Sequence, residues 1–186
     1  MEDVKEKMEE LSLKIKSCNK CPLYENRKNA VPGEGSVNAK IMLLGQAPGA
    51  MENLKGVPFC GRAGKFLDHL LKIAGIDRKK IFITSPIKCF PPKNRKPKKE
   101  EIKACLPWLK KQIEIINPKC FILLGEVAFS VFFPKKKLSD FRGRWIEKDG
   151  KFYFPTYHPA AGLRFPRFKE ILERDFKKLK EEIEID

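Results

Sequence analysis

The sequence predicts an α/β fold in which helices cover both faces of a parallel sheet. Short apolar runs of strand length recur along the chain, segments with helical periodicity lie between them, and two of the runs end directly at a Gly. Strands that alternate with helices favour parallel pairing, because each crossover helix returns the chain to the same end of the sheet. With 186 residues, we expect one domain that spans residues 1–186.

The first half of the chain supplies two of the four predicted strands. Residues 2–17 predict an amphipathic helix, and a turn-rich stretch follows over residues 18–38. KIMLLG at residues 40–45 is a continuous apolar run, which is typical of a strand buried on both faces. Residues 64–75 predict a helix with a Gly stop, and IFITSPI at residues 81–87 predicts the second strand.

The second half supplies the other two strands and the remaining helices. Residues 100–116 predict a helix, and CFILLG at residues 120–125 predicts the third strand. A short helix over residues 126–133 follows it directly. Residues 151–156 predict the fourth strand, and residues 167–184 predict a closing amphipathic helix.

Charge and hydrophobicity restrict the class of protein. The formal net charge of +15 favours a polyanionic partner such as nucleic acid, although Lys-rich and Glu-rich surfaces also occur in hyperthermophile proteins. No apolar stretch reaches the roughly 18 residues that a membrane span requires, so we expect no membrane partner. The first 18 residues lack the apolar core of a signal peptide, which predicts a cytoplasmic protein.

Six cysteines in a chain without an export signal favour a metal site or redox chemistry over disulfides. Four of them are candidate ligands of one site: Cys18, Cys21, Cys89 and Cys105. A site with four thiolates suits Zn²⁺ or an iron–sulfur cluster, and the spacing does not decide between them. Four unrelated thiols are the alternative interpretation. We expect Cys60 and Cys120 not to be ligands.

Loops that follow the predicted strands contain candidate catalytic residues, because ligands bind beyond the carboxyl ends of parallel strands. The GQAPG turn, which contains Gln46 and Ala47, can direct backbone N–H groups towards a carbonyl compound or a developing anion. Glu52 can position a water molecule as general base, and Phe59 can stack on a flipped base. Taken singly, a Gly/Pro turn, a surface Glu and a core Phe are the alternatives.

The TYHPAAGLR segment is the strongest local signal. His158 follows the last predicted strand, where an imidazole can stabilise a leaving anion. Leu163 and Arg164 combine an apolar wedge with a phosphate contact, a pairing typical of base-flipping proteins, although Leu163 also fits an ordinary core position. The basic stretches at residues 88–103 and 135–144 add candidate phosphate contacts. In the first of these stretches, the candidates are Lys93 and Arg95.

Together these motifs resemble the family-four uracil-DNA glycosylases, the iron–sulfur type of this enzyme. The resemblance extends from Cys18 to Arg164 and follows the family's order through CNKCP, GQAPG, PFCGRAGKFL, KCFPPKNRKP, Cys105 and YHPAAGLR. It implies a three-layer α/β/α sandwich with a central four-stranded parallel sheet and a [4Fe–4S] cluster on the four cysteines named above. It also implies a monomeric enzyme that hydrolyses the N-glycosidic bond of uracil in DNA and leaves an abasic site.

The resemblance also assigns roles to single residues. Glu52 corresponds to the residue that places the attacking water, and Phe59 to the aromatic residue that stacks on the base. His158 corresponds to the histidine that steadies the leaving pyrimidine. Ala47 lies where the backbone of the turn meets the base and the water.

Two positions depart from the family pattern. Gln46 stands where the turn usually has Glu, and Ser85 stands where an Asn usually reads the uracil edge. Asn offers a fixed donor and acceptor, whereas Ser offers one rotatable hydroxyl. The departure at Ser85 predicts weaker uracil excision or a substrate range that extends to other deaminated bases.

Two further classes of protein fit the same patterns. One is a non-catalytic iron–sulfur module that binds nucleic acid on the same fold, and a single-turnover assay on uracil-containing DNA separates it from an enzyme. The other is a zinc-stabilised nucleotide-binding protein, which would be colourless where an iron–sulfur protein is brown.

Overall fold

The structure is a computed structural model that describes residues 2–182. Its six strands are β1 (Glu34–Gly35), β2 (Ile41–Leu44), β3 (Phe82–Thr84), β4 (Cys120–Leu124), β5 (Ile146–Lys148) and β6 (Lys151–Thr156). They form one sheet in the order β1-β3-β2-β4-β6-β5. The four central strands pair in parallel, which confirms the predicted α/β fold. The two short edge strands pair antiparallel, and the sequence patterns do not predict them.

Seven helices accompany the sheet within residues 2–182. They are α1 (Glu2–Lys16), α2 (Ala50–Lys55), α3 (Arg62–Ala74), α4 (Lys99–Ile116), α5 (Glu126–Phe132), α6 (Pro159–Arg164) and α7 (Pro166–Glu182). The two helices that the patterns miss, α2 and α6, have six residues each. Residues 183 and 184 of the predicted closing helix lie outside the described residues. Among the helices of residues 2–182, none has the length and apolarity that a membrane crossing requires.

Two apolar clusters lie on opposite faces of the sheet and produce the three-layer arrangement. On β2, Met42 and Leu44 belong to one cluster, whereas the neighbouring Leu43 belongs to the other, because successive side chains of a strand point to opposite faces. The first cluster contains buried residues of α1, α4 and α5, and the second contains those of α3 and α7. The predicted burial of the central strands on both faces is therefore confirmed.

Strand β3 ends at Thr84, three residues before the end of the predicted run. Pro86 has no N–H to donate to a neighbouring strand, so the ladder cannot continue past it. The fully buried Lys88 then holds the loop: its Nζ donates to Thr84 Oγ1 (2.6 Å), to the carbonyl of Ser85 (2.7 Å) and to Gln112 Oε1 (2.6 Å). This network ties the end of β3 to α4.

The end of β6 is held from the other layer. Asp175 of α7 is fully buried, and its two carboxylate oxygens accept hydrogen bonds from Thr156 Oγ1 (2.6 Å) and Arg142 Nη1 (2.5 Å). Since a buried carboxylate requires such partners, the pairing fixes α7 against the last residue of β6. His158 follows two residues later.

Candidate active site

A pocket of about 260 Å³ lies at the carboxyl ends of the parallel strands. Its lining includes all six of the predicted catalytic and base-binding residues: Gln46, Ala47, Glu52, Phe59, Ser85 and His158. They come from the loops after β2, β3 and β6, from α2 and from the loop between α2 and α3. They meet because these parallel strands end at the same edge.

The turn after β2 begins with Gly45, which allows the ring of Phe59 to lie close to the end of the strand. A Cβ atom added at Gly45 would lie 2.8 Å from two ring carbons of Phe59, so any larger residue would displace the ring. Gly45 also donates its N–H to the carbonyl of Thr84 (2.9 Å), which extends the pairing of β2 with β3 into the turn. This hydrogen bond fixes the start of the turn that contains Gln46 and Ala47.

Glu52 has one anchored carboxylate oxygen and one directed towards the turn. Its Oε1 accepts backbone N–H groups from Cys60 (3.1 Å) and Gly61 (3.2 Å). Its Oε2 lies beside Gly49, where an added Cβ would come within 2.6 Å of it. Both residues line the pocket, so Oε2 is available there to accept a proton from a water molecule.

Phe59 is held in a backbone conformation that is unusual for a residue with a side chain. Its φ is +48°, and Arg78 stabilises the segment by donating to the carbonyls of Pro58 (2.9 Å) and Phe59 (3.3 Å). Arg78 itself is oriented by Asp68 (2.7 Å) and Glu34 (3.0 Å). The sequence patterns do not identify Arg78, because its partners come from three separate segments.

His158 is held as a neutral imidazole that carries its proton on Nε2. The backbone N–H of Ala160 donates to Nδ1 at 3.1 Å, so Nδ1 is the unprotonated nitrogen. The Phe59 ring stacks on the imidazole with centroids 5.6 Å apart, and Gly125 lies against its Cβ. Burial among these groups lowers the pKa of His158 to about 4. Its Nε2–H can therefore donate to a negatively charged atom in the pocket.

Ser85 lines the pocket with its hydroxyl hydrogen already in use. Its Oγ donates to the carbonyl of Ile87 at 2.5 Å, which leaves the oxygen lone pairs as acceptors. Asn94 of the basic loop, with φ of +56°, also lines the pocket. The sequence patterns place Asn94 only within a charged stretch, and its approach to the pocket depends on the fold of residues 90–98.

The predicted DNA contacts lie near this pocket or next to its lining residues. Leu163 is 45% exposed, and Arg164 ends the helix α6 that begins directly after His158. The exposed Lys93 precedes the pocket residue Asn94. Arg95, in contrast, directs its guanidinium to the two oxygens of Glu101 at 2.7 and 2.9 Å. It stabilises the start of α4 in this structure.

The four candidate ligand cysteines line a second pocket, between α1, the loop after β3 and α4. Cys60 and Cys120 are not among the residues that line it. Within residues 2–182, no group of three or more His, Cys, Asp or Glu side chains is arranged to hold a single metal ion.

Two N–H donors reach the sulfurs of this pocket. Trp108 Nε1 donates to Cys18 Sγ at 3.2 Å, and Arg27 Nη1 donates to Cys89 Sγ at 3.4 Å. Burial raises the pKa of the Cys105 thiol to about 12, and the pKa of Cys89 is also raised by burial. Donors of this kind interact more strongly with thiolates than with neutral thiols.

Comparison with known proteins shows which family the whole chain resembles. A family profile described as the uracil DNA glycosylase superfamily matches residues 32–183. The type-4 uracil-DNA glycosylase of Sulfurisphaera tokodaii is 45% identical over 184 residues, which cover 94% of this chain and 84% of the relative. That of Thermotoga maritima is 43% identical over 180 residues and covers 94% of both chains. The type-5 uracil-DNA glycosylase of Thermus thermophilus is 33% identical over 149 residues, which cover 69% and 68%.

We expect His158 to stay neutral as the pH falls from 6.5, its ordinary pKa, to about 4, because burial disfavours the charged form. The unfolded chain protonates this side chain near 6.5, so the folded state loses stability as the pH falls through that range. ¹⁵N NMR of the imidazole should show the Nε2–H tautomer and a midpoint near 4. The His69→Gln variant leaves one histidine and so assigns the signals. A midpoint near 6.5, or an Nδ1–H tautomer, would contradict the assignment.

Proposed function

The chain belongs to the uracil DNA glycosylase superfamily, and on this premise we propose that it hydrolyses the N-glycosidic bond of uracil and other deaminated bases in DNA. The single observation that supports this most strongly is the pocket itself. It combines a neutral N–H donor, a carboxylate with one free oxygen and an aromatic wall at the end of one sheet. These are the groups that cleavage of a bond to a flipped base requires.

The reaction starts when the base leaves the DNA stack and enters the pocket beside Phe59. As the C1′–N bond breaks, electrons pass to the base and the sugar becomes oxocarbenium-like. The Nε2–H of His158, with the backbone N–H groups of the turn at Gln46 and Ala47, stabilises the departing anion. Oε2 of Glu52 orients a water molecule and accepts its proton as the oxygen attacks C1′. Glu52 then releases its proton to solvent and the base anion takes up a proton, so the products are the neutral free base and an abasic site.

Strand cleavage is not part of this mechanism. Among the described residues, the lining of the pocket contains no lysine, so it offers no amine for a Schiff base with the sugar. Water is the nucleophile, and the abasic strand remains intact. We therefore assign the chain as a monofunctional glycosylase of base excision repair.

DNA is held by the positive surface around the pocket. The net charge of +15 attracts the phosphates, and the exposed Lys93 and Arg164 are their proposed contacts. Leu163 fills the gap that the flipped base leaves. We propose that the enzyme acts as one domain, as a monomer, on DNA in the cytoplasm.

Ser85 is proposed to accept a hydrogen bond from an N–H group that several deaminated bases share. Because its hydroxyl hydrogen is bonded to Ile87, it presents only an acceptor to the pocket. Uracil, hypoxanthine and xanthine share an imino N–H that can donate to such an acceptor. The carbonyl beside that N–H, which an Asn would also contact, receives no hydrogen bond from Ser85.

We propose that the second pocket holds a [4Fe–4S] cluster on Cys18, Cys21, Cys89 and Cys105. All four cysteines line it, and N–H donors reach two of the sulfurs. When bound, the cluster supplies four metal–thiolate bonds that tie α1, the loop after β3 and α4 together. The chemistry at the sugar needs none of these bonds directly.

We expect Glu52→Ala and His158→Ala each to slow single-turnover excision of uracil by about a hundredfold or more, because each removes a group that acts in the transition state. Rapid-quench assays on uracil-containing oligonucleotides measure the rate, and fluorescence anisotropy measures the affinity for DNA. Affinity should change little, since the phosphate contacts remain. If both variants lost DNA binding, the roles in catalysis would be refuted.

We expect the wild type to excise hypoxanthine and xanthine as well as uracil, and Ser85→Asn to speed the excision of uracil. The added hydrogen bond to the uracil carbonyl is worth about 1 kcal/mol, or about fivefold in the rate. A panel of single- and double-stranded oligonucleotides that contain each base measures the rates. Strict uracil specificity in the wild type would disprove the role of Ser85.

We expect the purified protein to be brown and Cys105→Ala to lose its iron and visible absorbance, because one of four ligands is removed. Cys120→Ala is the matched control, since this cysteine lies in β4 outside the second pocket, and it should keep both. Iron and zinc are measured by elemental analysis. A colourless protein that contains zinc would exclude the iron–sulfur assignment.

A further inference from the structure

Helix α2, which carries Glu52, requires contacts with other segments to keep its position. α2 has six residues, and its side chains Met51 and Leu54 are 41% and 50% exposed. A helix of this length is not stable by itself in water. The position of the Glu52 carboxylate must therefore depend on contacts that α2 makes with other segments.

Asn53 is the one buried side chain of α2, at 8% exposure. Its Oδ1 accepts the backbone N–H groups of Lys28 (2.8 Å) and Asn29 (3.3 Å). In return, Asn29 Nδ2 donates to the carbonyls of Asn53 (2.9 Å) and Leu54 (3.0 Å), which lie in the last turn of the helix. Four hydrogen bonds thus clamp α2 to residues 28 and 29.

The same segment contacts the cysteine pocket on its other side. Arg27 donates to the carbonyls of Cys18 (2.6 Å) and Lys16 (2.8 Å) and to Cys89 Sγ (3.4 Å). Residues 27–29 therefore lie between the candidate ligand cysteines and α2.

We propose that Asn53 is a positioning residue for Glu52, and that residues 27–29 tie this carboxylate to the cysteine pocket. The inference rests on the proposed function for its effect on the rate. Asn53 is not among the residues that line the active-site pocket, so it acts by holding α2. With the clamp intact, Glu52 Oε1 remains within reach of the N–H groups of Cys60 and Gly61, and Oε2 remains beside Gly49.

The same substitution, Asn→Asp, should have opposite effects on the rate of excision at Asn53 and at Asn29. Asn53 acts through an acceptor oxygen, which Asp retains, whereas Asn29 acts through donor hydrogens, which Asp lacks. We expect Asn53→Ala and Asn29→Asp to slow single-turnover excision by about ten- to hundredfold, the cost of a small displacement of a reacting group. Asn53→Asp should restore most of the rate. An Asn53→Asp variant as slow as Asn53→Ala would overturn the proposal.

A double-mutant cycle separates positioning from a general loss of stability. If Asn53 acts through Glu52, then Asn53→Ala causes no further loss in the Glu52→Ala background, because the interaction is already absent. If the two losses multiply, Asn53 does not act through Glu52. Wild type and Glu52→Ala alone test the proposed function in the same assay, so its failure is distinguishable from failure of this inference.

Hydrogen exchange tests the clamp without any measurement of activity. In Asn53→Ala and Asn29→Asp, the amides of Cys60 and Gly61 should exchange at least severalfold faster, while core amides of β4 stay protected. Arg27→Gln should have the same effect at these two amides if the link reaches the cysteine pocket. If Asn53→Ala does not fold, Asn53→Ser and Asn29→Asp carry the test. Unchanged exchange at Cys60 and Gly61 in the folded variants would refute the clamp.

Discussion

Parallel strands β2, β3, β4 and β6 all end at the same edge of the sheet, and the loops that build the active-site pocket leave from that edge. Their hydrogen-bonded register sets how far apart those loops begin. The GQAPG turn, Ser85 and His158 converge for this reason although more than a hundred residues separate the first from the last. The sheet sets the distances between the starts of these loops, and the loops carry the candidate catalytic residues.

Polar groups buried beneath the pocket keep these loops in one conformation. The Lys88 ammonium would be costly to bury without Thr84, Gln112 and the carbonyl of Ser85, and the Asp175 carboxylate without Thr156 and Arg142. Each network joins the end of a strand to the helix behind it: Lys88 connects the end of β3 to Gln112 of α4, and Asp175 of α7 accepts a hydrogen bond from Thr156 at the end of β6.

The two proposed catalytic residues have different environments in the same pocket. His158 lies against Phe59 and Gly125, and burial lowers its pKa to about 4, so its Nε2–H is the donor of a neutral imidazole. Glu52 accepts backbone N–H groups through one oxygen, and its other oxygen lies beside Gly49. The net charge of +15 favours an anionic partner.

The sequence by itself determined the four central strands, the longer helices and six residues of the pocket, because apolar periodicity and spaced motifs are local properties of the chain. Gln46, Ala47, Glu52, Phe59, Ser85 and His158 were predicted and lie together. Only the tertiary structure decided the features that depend on contacts between residues far apart in the sequence. The edge strands and short helices have too few residues for a periodic signal, and the clamp between Asn29 and Asn53 joins segments 24 residues apart. Hydrogen bonds that form only in the folded chain also set three details of the site. They fix the tautomer of His158, leave the Ser85 hydroxyl as an acceptor and pair Arg95 with Glu101.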